Sequence, residues 1–277
     1  MAFGLTLPVT RFASSGLNPL MIGIGRAAVA GVMAAFLLWL RRATCPAQDM
    51  WRQLLFVMGS VVIGFPLLSV WAMQRVPAVH GGIIMGILPL FTALLGSWFS
   101  RERPSIVFWW ASFLGAVIVL LYLLSGSLFQ LHLGDVFLLM AAVAAAIGYA
   151  KGGLLSLQMP AWQVICWALV LALPVTLPVF LWQLPDAWRQ AQAVHWLAFL
   201  YLAWVSQLLG FFLWYAGLAW GGVTRVSQVQ LLQPFVTLGA AGFLLDEALP
   251  GKTLVFAILM MVIVAATQKL PVYWEHK

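Results

Sequence analysis

VPAVHGGIIMGILPLFTALLGSWFSRE, residues 76–102, and GGVTRVSQVQLLQPFVTLGAAGFLLDE, residues 221–247, are two apolar stretches with the same punctuation. Sliding the first onto the second by 145 positions puts Pro89 on Pro234 and Glu102 on Glu247. In each copy a proline in mid-helix is followed thirteen residues later by a glutamate at the helix end. The same shift lays the helices before and after one stretch over those around the other. Each half then holds five helices, and an odd number means that the second copy enters the membrane from the opposite side. That is an inverted-topology repeat, an arrangement many secondary carriers use.

The composition fits a chain made of such units. Of 277 residues, 64% are apolar and only 8% are charged, whereas soluble domains run to about half apolar and about a quarter charged. A soluble enzyme or nucleic-acid binder is excluded on that ground. A spanning helix takes about 20 residues, because roughly 30 Å of hydrocarbon is crossed at about 1.5 Å per residue. A β-barrel would alternate polar and apolar residues, but Ala28–Leu40 and Thr253–Ala266 are apolar on every side. The expectation is therefore an all-α, polytopic membrane protein. Its ten helices fall at about 2–16, 19–40, 52–73, 77–99, 105–125, 134–157, 161–183, 195–217, 222–245 and 250–270. They group into two five-helix units, residues 1–125 and 134–270. Gly4 has three residues before it where its counterpart Gly148 has about fourteen helical ones. The first span is thus truncated: either the true start lies upstream or the helix is abbreviated.

The net charge of +7 is spent on topology. Arg41, Arg42, Arg52, Arg101, Arg103, Lys269 and Lys277 cluster on one side of the expected arrangement, while the loops after helices 1 and 5 carry no Lys or Arg. The positive-inside bias then puts both termini in the cytoplasm of a multi-pass inner-membrane protein. No nucleic-acid partner is expected; the partners are the bilayer and a small solute, and a monomer suffices. Cys45 and Cys166 form no paired motif, so neither a disulfide nor a metal site is expected. No cofactor is implied. The four histidines are scattered at 80, 132, 195 and 276, and no HExxH or GxSxG occurs, so the chain reads as no enzyme.

The two quoted stretches, with FGLTLPVTRF (residues 3–12) and NPLMIGIGRA (residues 18–27), resemble the EamA family of the drug/metabolite transporter superfamily over nearly the whole chain. The resemblance implies ten helices in two inverted repeats and the export or exchange of small metabolites, with no particular substrate.

Charges within spans are the sharpest signals, since each costs roughly 2.5–3.5 kcal/mol at mid-membrane on insertion scales. Arg26 lies about seven residues into helix 2, where it serves either as a clamp on neighbouring carbonyls or as a substrate contact. Helix 9 carries a dense polar run, with Thr224, Arg225 and Gln228 expected on one face and Ser227, Gln230, Gln233 and Thr237 on another. Such a run is tolerated only where it faces protein or water. Thr224, Arg225 and Gln228, with His80, Trp204 and Gln207 across a cavity, are the expected substrate contacts. Pro89 and Pro234, which lack an amide hydrogen, are the expected hinges. The small residues Ala78, Gly82, Gly86, Pro89, Ala93 and Gly96 read as a packing stripe. Glu102 and Glu247 are expected to complement the positive end of the helix that follows each of them. All seven acidic residues fall at helix ends or in loops, so no buried carboxylate awaits a cation. The expected activity is export, by alternating access, of a neutral, zwitterionic or anionic metabolite such as an amino acid. The alternative is a lipid or lipid-linked-sugar flippase.

Overall fold

The computed structural model describes residues 2–99, 102–124, 132–248, 251, 254–259, 262 and 272–274. Its helices are α1 (2–13), opening with a 3-10 turn at Ala2–Leu5, α2 (Met21–Leu40), α3 (Met50–Met73), α4 (Ala78–Phe99), α5 (Ile106–Leu124), α6 (Leu133–Leu155), α7 (Ala161–Gln190), α8 (Ala193–Gly221) and α9 (Val223–Leu245). Among the described residues, α2, α3, α4, α6, α7, α8 and α9 are long and apolar enough to cross a membrane. The expected tenth helix, 250–270, lies largely outside the described residues, with 254–259 helical. Arg101, Lys269, Glu275, His276, Lys277 and the side chain of Glu102 lie outside them too. A short antiparallel pairing joins β1 (Glu102–Pro104) to β2 (Val272–Trp274).

Two boundaries differ from the sequence expectation. α7 runs on to Gln190 through Pro174, Pro178 and Pro185 instead of stopping at 183. Hydrocarbon offers a freed carbonyl no water, so keeping the helix with a missing bond costs less than breaking it. α8 extends to Gly221, leaving Gly222 alone between α8 and α9 at φ 81°, a conformation that glycine adopts without a Cβ clash.

The helices are irregular in a repeated way. A π-helical segment occupies Met58–Gly64 in α3 and another Tyr201–Leu209 in α8. A 3-10 turn occupies Met85–Ile87 in α4, just before Pro89, and Gln228–Leu232 in α9, just before Pro234. Moved on by 145 positions, each first-half irregularity falls within its second-half counterpart. The prolines explain the 3-10 turns, because each removes the amide that would bond the carbonyl four residues back. A third π-helical segment, Met21–Gly25, has no such counterpart and delivers the chain directly to Arg26.

Small residues set the packing. Ala27, Ala30 and Ala34 of α2, Ala141, Ala142, Ala145 and Ala146 of α6, and Ala168 and Ala172 of α7 are fully buried, which lets backbones approach closely where lipid supplies no hydrophobic drive between helices. The expected stripe on α4 is buried throughout. A Cβ on Gly82 would meet Thr237, and one on Gly96 would meet Val223 and Thr224, so the stripe is where the two proline helices cross. Trp39, Trp98, Trp182 and Trp188 point outward, as interfacial anchors do.

Candidate functional site

The start of α1 is fixed from two other helices. Tyr201 Oη donates to Ala2 O at 2.9 Å, Gln233 Nε2 to Phe3 O at 3.3 Å, and Thr237 Oγ1 to Gly4 O at 2.7 Å. Thr6 and Ser206 share a hydroxyl hydrogen bond of 2.8 Å. These ties place the Phe3 ring against three others, 6.1 Å from Tyr149, 5.1 Å from Phe211 and 6.1 Å from Trp214. Tyr149 and Trp214 meet edge to face at 5.4 Å, a favoured aromatic geometry. α6 comes close enough for this because of two glycines. A Cβ on Gly152 would collide with the Tyr215 ring, and Tyr215 Oη donates to Gly148 O at 3.1 Å.

Arg26 lies near Tyr149. It is fully buried, 6.0 Å over the Phe65 ring and within electrostatic reach of the Tyr149 phenol. Its Nε and Nη1 have no hydrogen-bond partner among the described residues. A cavity of about 390 Å³ lies between α1, α8 and α9, lined by Phe3, Trp214, Gln230 and Gln233 among others. That volume is within the roughly 300–1,000 Å³ of small-molecule sites. Gln230 is buried with neither its Nε2 nor its Oε1 partnered among the described residues, and Trp214 Nε1 is likewise unpartnered. Buried polar groups are almost always hydrogen-bonded in native structures. A guanidinium, an indole N–H and a carboxamide left unpaired around one aromatic wall therefore stand out.

The expected contact residues are distributed differently. Thr224 and Gln228 are buried together, with Gln228 Nε2 directed at Thr224 O at 3.5 Å, but Arg225 is exposed. At about 100° per residue the three fall within one sector of the helix with Arg225 at its edge, so it is burial and not helical period that separates Arg225 from the other two. His80 Nε2 pairs with Asp135 Oδ1 at 2.7 Å, near the start of α4, whereas Thr224 packs beside Gly96, roughly 24 Å along α4 at about 1.5 Å per residue. Gln207 is buried and donates from Nε2 to Val61 O at 3.0 Å, a tie between the two equivalent π-helical segments. Trp204 is 40% exposed and lines an outer groove of about 600 Å³ with Ala28, Val32, Phe36 and Phe180. Pro89 and Pro234 are buried directly after their 3-10 turns. The structure brings Thr224 and Gln228 together and leaves the other four apart.

The acidic residues also bring corrections. The helix that follows Glu247 lies largely outside the described residues, and within them Glu247 serves α4. Its two oxygens accept from Ala78 N at 3.0 Å and Val79 N at 2.8 Å, so it caps α4, whose own N-cap residue Pro77 offers no side-chain bond. Arg11 completes the arrangement: Nε pairs with Glu247 at 2.9 Å, and Nη1 donates to Met73 O at 2.7 Å and Val76 O at 2.8 Å. Asp135 is a buried carboxylate after all, in the first turn of α6, satisfied by His80 and by the His132 amide. The sequence flagged Arg26 without choosing a role and passed over Phe3 and Trp214. Gln230 was visible as a polar residue in mid-helix.

Comparison with known proteins gives this arrangement its context. A family model described as the EamA-like transporter family matches residues 1–124 and 132–267. YdeK of Bacillus subtilis, described as an uncharacterized transporter, is 40% identical over 97% of this chain and 94% of its own. The protein PecM of Dickeya dadantii is 26% identical, covering 99% and 91% of the two chains. A Salmonella typhimurium protein described as a probable amino-acid metabolite efflux pump is 31% identical over 67% of this chain and 65% of its own. A solved crystal structure, 17% identical, superposes with a TM-score of 0.70 over 97% of this chain and 96% of that one, which shows a common fold.

Proposed function

The chain belongs to the EamA-like transporter family and is a multi-pass membrane protein; from that premise we propose that it exports a small metabolite by alternating access about the space between α1, α8 and α9. The observation that carries this reading is a cavity of about 390 Å³ bordered by the Gln230 carboxamide and the Trp214 indole N–H, both unpartnered among the described residues, with the buried Arg26 guanidinium within electrostatic reach of Tyr149, whose ring packs on Phe3 and Trp214. A folded chain keeps such groups unpaired only where something else pairs with them.

The architecture we propose is two inverted five-helix units, 1–125 and 134–270, with both termini on the cytoplasmic side of the inner membrane. The irregularities repeated at 145 positions support it: matched π segments in α3 and α8 and matched 3-10 turns before Pro89 and Pro234. Those turns make Pro89 and Pro234 the proposed hinges, placed where α4 and α9 cross. Thr224 and Gln228, buried beside the crossing, stay in the proposal as contacts along the path. The solute is neutral, zwitterionic or anionic. The name of the Salmonella relative makes amino acids the first class to test, while the flippase alternative has no support among these relatives.

The test is release of preloaded solutes from proteoliposomes holding the purified chain, read by mass spectrometry over the twenty amino acids and common organic acids. The expected result is release of a subset well above protein-free vesicles. Release of none above that background would overturn the reading.

A further inference from the structure

We infer that Arg26 is the receptor for a carboxylate on the transported solute, whose apolar body lies against Phe3, Tyr149 and Trp214 and whose remaining polar group meets Gln230. This rests on the transport reading above and adds to it the chemical class and the residue that selects it.

A clamp is the other role open to a buried arginine, and the molecule shows what one looks like. Arg11 bonds two helix-end carbonyls and a carboxylate, and Arg75 Nη1 bonds Trp71 O at 2.8 Å. Arg26 makes no such bond from Nε or Nη1 among the described residues. Among the described residues no carboxylate pairs with it. Asp135 is held by His80 and His132, Glu247 by Arg11 and the start of α4, and the other described acidic side chains lie at helix ends. A buried guanidinium without hydrogen bonds is disfavoured unless an anion joins it, and a planar fork of donors matches a carboxylate.

The neighbours narrow the class. Phe65 lies beside the charge and Tyr149 is within its electrostatic reach, and the Tyr149 ring in turn packs on Phe3 and Trp214, which border the cavity with Gln230. The inferred solute bridges the two by displacing the Tyr149 ring, so that its carboxylate reaches the guanidinium while its body stays against Phe3 and Trp214. One cation set among aromatic rings matches a monoanion with an apolar body, whereas a phosphate dianion calls for a second cation. Gln230 carries an unpartnered acceptor and donor, so a second polar group is accommodated, as in an amino acid.

The experiment uses the full chain and two readouts. Proteoliposomes are loaded with L-leucine and L-phenylalanine, or with L-leucinamide and L-phenylalaninamide, which keep the body and lose the carboxylate. Wild type is expected to release the acids at least about tenfold faster than the amides. Arg26→Gln is expected to lose about tenfold or more of acid release, as for loss of a charged hydrogen bond, with Arg26→Lys in between. In detergent, Arg26→Met is expected to melt above wild type, because an apolar side chain of similar size replaces an unpaired charge. Acid release by Arg26→Gln at the wild-type rate, or equal release of acids and amides by wild type, overturns the inference. A melting point for Arg26→Met well below wild type overturns it as well, since a clamp is then the role. If wild type releases neither set of solutes nor any other, the transport reading fails on its own and the melting comparison still decides the role of Arg26.

Discussion

Arg11 and Arg26 are the same residue type fifteen positions apart, and their surroundings are opposite. Around Arg11 the donors find partners: Nε pairs with Glu247, Nη1 donates to Met73 O at the end of α3 and to Val76 O just beyond it, and the same glutamate caps α4. Around Arg26 there are rings, and Nε and Nη1 have no partner among the described residues. A satisfied network at partial exposure holds helices together. An unsatisfied one in the interior stores free energy that a ligand can release. The difference separates a fastening from a binding site without reference to any substrate.

Removing the fastening gives the largest loss of stability. Glu247→Ala leaves Arg11 without its carboxylate and the first amides of α4 without acceptors, and should cost about 2–4 kcal/mol, read by chemical or thermal unfolding in detergent. Gly152→Ala sharpens the other side of the comparison, because the new methyl meets the Tyr215 ring behind the aromatic wall. Overpacking there should cost about 1–3 kcal/mol and shift the intrinsic fluorescence of the Trp214 region. Gln207→Leu removes the donor to Val61 O and should cost about 1 kcal/mol, seen as faster amide exchange in the π segment of α3. Arg225→Ala, at an exposed position, should change stability by no more than about 0.5 kcal/mol.

Much of this was legible in the residues. The helices, the 145-residue correspondence and the small-residue stripe of α4 all follow from spacing that a one-dimensional string preserves. Three things were not. π-helical segments shift side chains by one position within long apolar runs, and neither Met58–Gly64 nor Tyr201–Leu209 contains a Pro or charged residue that reveals the shift. Glu247 caps a helix 169 residues away, a relation that only tertiary packing creates and that sequence neighbourhood does not suggest. Helix 9 was read as an even α-helix, which put Arg225 with Thr224 and Gln228; the true burial separates them. Asp135 illustrates the same limit, since its position at a helix end was correct while its burial under His80 depends on how α4 meets α6.

The measurement that bears most directly on this account is the melting temperature of two parallel variants in the same detergent, Arg11→Met and Arg26→Met. The account predicts opposite signs, a lower value for the first and a higher value for the second. A fall in both would show that the interior arginine is a fastening like the other, and would contradict the account.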